Sequence, residues 1–212
     1  MNKKYIVFDL DDTLYYEIDF LCSAFKSIAK NIAEDDFEDL YKTMLEIYND
    51  KNDVFEFLSK AYNCDKQLLL KLYREHFPDI GLRNQVRETL ELLKNNNVKM
   101  GLLTDGRSLT QRNKIKALKI ESYFDKIIIS EEFGSEKPNE SNYAIFVEEG
   151  FDYYYIADNP KKDFISPNIL GWKTIMIEDD ENKKIHKLSN VLQEKWYAQK
   201  KTNWEYLYDL IN

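Results

Sequence analysis

The run Ile6-Val7-Phe8-Asp9-Leu10-Asp11-Asp12-Thr13-Leu14 sets two carboxylates, Asp9 and Asp11, at the end of an apolar stretch that reads as a buried strand. Side chains alternate along an extended chain, but past a strand end that rule lapses and both acids can turn toward one site. Clustered acids repel one another and lose hydration when buried, so folding alone does not ask for them. A cation does, and so does a reaction that needs one carboxylate as nucleophile and a second as proton donor. A solvated acidic turn after a strand is the competing interpretation, because short motifs also arise by chance.

The elements that must hold these acids follow from patterning. No glycine or proline precedes Pro78, and all six glycines lie from Gly81 onward. Between Tyr15 and Phe77 the pattern is helical. Leu21, Phe25, Ile28 and Ile32 share one face, and Phe37, Leu40, Tyr41, Met44, Leu45 and Tyr48 another. Asp53 with Glu56 resembles a capping box opening a third helix with Val54, Phe57, Leu58 and Ala61. Asp65 can cap a fourth, with Leu68, Leu69, Leu72 and Tyr73 inward. The segment 15–80 therefore reads as a small helical bundle inserted after the first strand.

From Gly81 helices and strands alternate. A helix through Val86, Leu90 and Leu93 leads to a strand over 98–103. A helix capped by Ser108 and carrying Ile115 and Leu118 leads to a strand over 126–129. A helix over 143–147 leads to a strand over 153–157, and a helical turn near Asn168 and Leu170 leads to a strand over 173–177. Such alternation, with continuously apolar strands, predicts a doubly wound parallel sheet covered on both faces. Ligands bind such sheets at the carboxyl ends of the strands. Polar residues gather there each time: Asp9 to Thr13, Thr104-Asp105-Gly106, Ser130-Glu131 and Asp158-Asn159. Beyond Glu178 the chain is charged and then helical, with Ile185, Leu188 and Leu192 on one face and Trp204, Leu207, Tyr208 and Ile211 on another.

Composition narrows the function. With 212 residues and 43% apolar content the chain can bury a substantial core. A net charge of -8 argues against non-specific nucleic-acid binding, which needs a basic face. Cys22 and Cys64 make no metal spacing and fit a reducing compartment. The first apolar run is cut short by Asp9, too early for a signal peptide, and no later run approaches a membrane span. A cytoplasmic location is expected.

Four separated segments line up in the order of one family: Asp9-Leu10-Asp11-Asp12-Thr13, Leu102-Leu103-Thr104-Asp105-Gly106, Lys137-Pro138, and Ile156-Ala157-Asp158-Asn159-Pro160-Lys161-Lys162-Asp163. Together they resemble the haloacid dehalogenase-like hydrolase superfamily. The resemblance implies a Rossmann-like core formed by 1–14 and 81–212, with 15–80 where that superfamily carries its cap domain. It implies that Asp9 is a nucleophile forming an aspartyl phosphate and already ionised at neutral pH. It implies further that Asp11 exchanges protons with the leaving group and water. Asp9, the Asp11 backbone carbonyl and Asp158 would hold Mg2+, with Asp163 in a supporting position. Thr104 and Lys137 would bind the substrate phosphate.

Asp105 falls in the phosphate-binding segment where the family commonly has Asn. A carboxylate there opposes a bound dianion unless it points away or pairs with Arg107. Asp12 is expected to face outward or bond within its loop, and Pro138 to open a helix. His76 and His186 are expected to be structural or exposed. Tyr15, Tyr16 and Arg107 lie beside the motifs and either touch the leaving group or simply pack. The second acid favours phosphate-ester hydrolysis over dehalogenation, and a lid over the site favours a small phosphorylated metabolite. A phosphosugar mutase using the same acyl phosphate, or a non-catalytic binding or assembly module on the same fold, are the alternatives.

Overall fold

The computed structural model describes residues 3–178, 183 and 196–211. Its centre is a six-stranded parallel sheet in the order β3-β2-β1-β4-β5-β6. The strands are β1 (Lys3–Phe8), β2 (Lys99–Thr104), β3 (Lys126–Ile129), β4 (Phe151–Ala157), β5 (Lys173–Ile177) and β6 (Lys200–Thr202). Successive residues of β1 point to opposite faces. Ile6 and Phe8 join one buried cluster with Leu102, Ile156 and Ile175; Tyr5 and Val7 join another with Leu103, Tyr155 and Met176. Both faces are covered, so the apolar runs are continuous, as a parallel sheet requires. Gly101 sits where a Cβ would lie 2.5 Å from the Phe146 ring, so that ring's packing needs a residue without a side chain.

The helices are α5 (Val86–Asn95), α6 (Ser108–Leu118), α7 (Ser130–Phe133), α8 (Ser141–Ala144), α9 (Ile165–Ile169) and α10 (Trp204–Ile211). Four expectations change here. Ser108 does not cap α6; it is the first helical residue, and its hydroxyl donates to Glu132 at 2.6 Å. The helix expected over 143–147 is only four residues, and the chain then runs to Val147 through i→i−3 hydrogen bonds. Pro138 opens no helix, since α8 begins at Ser141. A sixth strand, β6, lies where only helix was anticipated. Its residues are Lys-Lys-Thr, and an edge strand without an apolar run gives no period to read. The expected stripe Ile185, Leu188 and Leu192, and His186, lie outside the described residues.

Between β1 and α5 come α1 (Glu17–Ile32), α2 (Phe37–Asn49), α3 (Val54–Tyr62) and α4 (Lys66–Glu75), which enclose their own apolar cluster around Phe25, Ile28, Leu40, Met44, Leu58 and Leu69. Asp53 accepts the Glu56 N–H at 3.0 Å and Asp65 the Gln67 N–H at 2.8 Å, so both caps form. Glu56 turns its carboxylate to Lys60 and Lys66. On α4 only Leu69 is buried and Tyr73 partly so; Leu68 and Leu72, about 100° round the helix, face outward. Ala61 on α3 is likewise exposed, while Phe55 packs against Phe25 and Tyr73. Helix α1 serves two cores: Phe20 and Ala24 belong to the sheet cluster, Phe25 and Ile28 to the helical one.

Candidate active site

Parallel pairing in register brings the strand ends together. Phe8 lies opposite both Leu102 of β2 and Ile156 of β4, so the residues just beyond them share one rim. The Asp9 N–H continues the ladder to the Ile156 carbonyl at 2.9 Å. The loop after β1 is then pinned from several directions. Leu14 N–H bonds Leu10 O at 3.0 Å, Trp204 Nε1 donates to Thr13 O at 3.0 Å, and Arg83 donates to Asp12 O at 3.0 Å. Asp12 has φ 55 and its carboxylate accepts the Glu17 N–H at 2.9 Å, at the start of α1. It therefore bonds within its loop and is buried, not outward.

Asp9, Asp158 and Asp163 are buried with carboxylate oxygens within 4.8 Å of one another. Thr13 Oγ1 bridges two of them, 3.1 Å from Asp9 Oδ2 and 3.5 Å from Asp158 Oδ1. The Lys137 ammonium lies 2.5 Å from Asp9 Oδ1, 2.7 Å from Asp163 Oδ1 and 3.3 Å from the Tyr155 hydroxyl. Asp163 also accepts the Asn159 N–H at 3.0 Å. Burial pushes the Asp9 carboxyl up to about 6 against the opposing pull of Lys137. That lies above the ordinary carboxylate range but still leaves Asp9 ionised at neutral pH, as expected. Burial also disfavours charge on Lys137, but Asp163 and Asp9 outweigh it and hold the ammonium well above its usual range. The buried Lys137 ammonium pairs with two of these three carboxylates, Asp9 and Asp163. An oxygen-only donor set of this kind suits a hard divalent cation.

Asp11 stands in a second group. Its Oδ1 accepts from Lys114 Nζ at 2.6 Å and from the Tyr15 hydroxyl, and its Oδ2 from Gln111 Nε2 at 2.7 Å. Burial raises the Asp11 carboxyl, but the Lys114 charge and the hydrogen bonds from Lys114, Tyr15 and Gln111 prevail and leave it below the ordinary range. Gln111 also donates to Thr104 Oγ1 at 2.5 Å, joining the carboxylate to the hydroxyl at the end of β2.

The sequence profile of the haloacid dehalogenase-like hydrolases matches residues 6–182. The chain belongs to that family. It is 29% identical to the glyceraldehyde 3-phosphate phosphatase of Methanocaldococcus jannaschii over 84% of this chain and 90% of that protein. It is 21% identical to a phosphorylated carbohydrates phosphatase of Thermotoga maritima over 68% of each chain. Its fold matches that of the HAD-hydrolase YfnB from Bacillus subtilis, crystallised with magnesium, at a TM-score of 0.70, 20% identity and full coverage of both chains.

Within this haloacid dehalogenase-like hydrolase, Asp105 does not pair with Arg107. Its carboxylate accepts the Lys137 N–H at 3.1 Å and lies 3.2 Å from Lys162 Nζ, while Arg107 pairs with Glu131 at 3.7 Å. The extra negative charge is thus tied down between two neighbouring loops. Tyr15 reaches Asp11, whereas Tyr16 stacks under the Arg83 guanidinium at 4.6 Å. His76 contacts Ser23 at 2.8 Å and serves the helical segment. Sequence reasoning missed Tyr155, Gln111 and Lys114. The last two had a usable signal: they stand at i and i+3 on the same α6 face as Ile115 and Leu118, polar residues within a buried stripe.

Proposed function

We propose that this phosphoric monoester hydrolase releases phosphate from a small phosphorylated sugar, with magnesium, through an aspartyl phosphate on Asp9. The observation that carries the proposal is the buried Asp9–Thr13–Asp158–Asp163–Lys137 cluster at the sheet rim beside Thr104. Asp9, the Asp11 backbone carbonyl and Asp158 would hold the ion, and Asp163 supports them from its bonds to Lys137 and Asn159. When bound, magnesium neutralises phosphate charge and keeps the reacting oxygens in line.

The chain's own groups do the rest. The Asp9 carboxylate attacks phosphorus and the bond from phosphorus to the leaving oxygen breaks. Asp11 supplies a proton to that oxygen, then takes one from the water that cleaves the acyl phosphate. Thr104 and the Lys137 ammonium face the phosphoryl oxygens, and Asp105 orients the Lys137 backbone from the loop beside it. Residues 15–80 act as a cap over the core formed by 1–14 and 81–212, and exclude water and bulky substrates. Sugar phosphates are chosen because the relatives named above act on phosphorylated trioses and carbohydrates. No helix among the described residues is long and apolar enough to cross a membrane, and both cysteines are free, which fits work in the cytoplasm.

The test is phosphate release from a panel of triose, pentose and hexose phosphates, with magnesium or with EDTA, for the wild type and Asp9→Asn. Magnesium-dependent release that the variant loses by at least about 10³-fold, with its fold intact, supports the reading. An active Asp9→Asn variant refutes it, and so does transfer of phosphate to a sugar without release.

A further inference from the structure

The polar pair on α6 has no part in the chemistry described so far, and its placement is specific. Lys114 is buried, yet carries an ammonium 2.6 Å from Asp11 Oδ1 and 4.6 Å from the Phe20 ring centroid. Gln111, one turn earlier and equally buried, spends its amide on Asp11 Oδ2 and Thr104 Oγ1. With the Tyr15 hydroxyl, three donors fix both oxygens of one carboxylate. A buried Lys–Asp pair is a poor stabiliser compared with an apolar pair of similar volume, so packing alone does not account for it.

We propose that Lys114 and Gln111 are positioning residues for the proton transfer made by Asp11. They set where its carboxyl stands relative to Thr104, so that the leaving oxygen of a phosphate held at Thr104 meets Asp11 in one orientation. The inference rests on the reading of Asp11 as the proton-transfer group. Phe20 belongs to α1, so the ammonium also ties the inserted helices to the reacting carboxylate through a cation–π contact.

The consequence is a dependence on the leaving group. An alkoxide must be protonated as it departs, whereas 4-nitrophenolate leaves without help. The value of kcat/KM reports the steps up to and including formation of the aspartyl phosphate, so it isolates this proton transfer. It is measured with magnesium for 4-nitrophenyl phosphate, phenyl phosphate and glycerol 1-phosphate in the wild type, Asp11→Asn, Lys114→Met, Lys114→Arg and Gln111→Leu.

We expect Lys114→Met and Gln111→Leu to lose about 10²-fold with glycerol 1-phosphate and several-fold less with 4-nitrophenyl phosphate, as general acid–base catalysis is worth about 10²–10⁴. Lys114→Arg should recover part of the loss. Equal losses across the three esters, or none, in the Lys114 and Gln111 variants while Asp11→Asn keeps the steep dependence would overturn this inference alone. A flat dependence in Asp11→Asn would overturn the role of Asp11 itself and this inference with it. If Lys114→Met fails to fold, Gln111→Leu decides the question by the same readout.

Discussion

Removing the Lys137 ammonium tests the charge balance on which the site is built. Its side chain is fully buried, 2.5 Å from Asp9 Oδ1 and 2.7 Å from Asp163 Oδ1. Lys137→Met keeps most of the volume and strands two buried carboxylates. Taking one partner from a buried ion pair costs about 3–5 kcal/mol. For a chain of this size that lowers Tm by about 10 °C. The sign with pH separates charge from packing. Asp9 already titrates at about 6, above its unfolded value of 3.8, with Lys137 the chief influence holding it down. Without Lys137 it rises further. The folded variant then binds more protons than the unfolded chain from about pH 4 to beyond neutrality, and its stability falls as pH rises through that window. The deficit should be greatest near pH 8 and shrink toward pH 5, as read by urea unfolding in EDTA at each pH. Adding Asp163→Asn should restore part of the loss at pH 8. An equal deficit at pH 5 and pH 8 would show that packing, and not charge, was lost.

Glu17 offers the same logic with the opposite outcome. Burial and the neighbouring Asp11 push its carboxyl up to about 7, so Glu17→Gln should stabilise the protein at pH 8.5 and lose that advantage by pH 5 in thermal melts. Gly101→Ala should destabilise by about 1–3 kcal/mol in urea titrations, because the new methyl meets the Phe146 ring. Trp204→Ala should cost about 3–5 kcal/mol, since it removes a buried ring stacked on Phe8 and the donor to the Thr13 carbonyl. A loss under about 1 kcal/mol in denaturant titrations would show that the loop after β1 does not depend on that anchor.

Residues whose environment is local were legible in the sequence. Asp53 and Asp65 form their caps because a cap needs only the next few N–H groups. Strands β1, β2 and β4 were readable because burial on both faces leaves unbroken apolar runs with polar ends, and parallel pairing then fixes which ends meet. What depends on distant chain was not readable. Asp105 finds its partners in Lys137 and Lys162, on two other loops, so no inspection of its neighbours would separate it from Arg107. The outward turn of Leu68 and Leu72 reflects which side of α4 the other helices cover, which an all-apolar stretch does not reveal. Lys114 and Gln111 carry no local motif that marks them, although their spacing puts them on the buried stripe of α6. The raised Asp9 carboxyl follows from its burial at the sheet rim and, after that, from Asp163 arriving beside it, a consequence of the fold rather than of residue type.

The twin carboxylates of the first loop are driven apart by these surroundings. Asp9, desolvated by burial and set beside Asp163 against the pull of Lys137, is pushed up to about 6; Asp11, with Lys114, Tyr15 and Gln111 donating to it, is held below its ordinary range. Divergent environments for paired acids mark a division of labour. Hydrolysis by the proposed route nevertheless wants the reverse order, with Asp9 ionised for attack and Asp11 protonated for donation. Loading by the proposed ion and substrate would supply that reversal. A cation at the Asp9–Asp158 oxygens favours the charged form of Asp9, while a phosphate dianion arriving beside Thr104 opposes charge on Asp11. Asp9 in metal-free protein, followed by carboxyl-stretch infrared difference spectra against Asp9→Asn, should therefore titrate near 6, and saturating magnesium should move that titration well below 6. An Asp9 titration that stays near 6 whatever the magnesium concentration would mean that no ion reaches Asp9, and the assignment of that cluster to metal would be wrong.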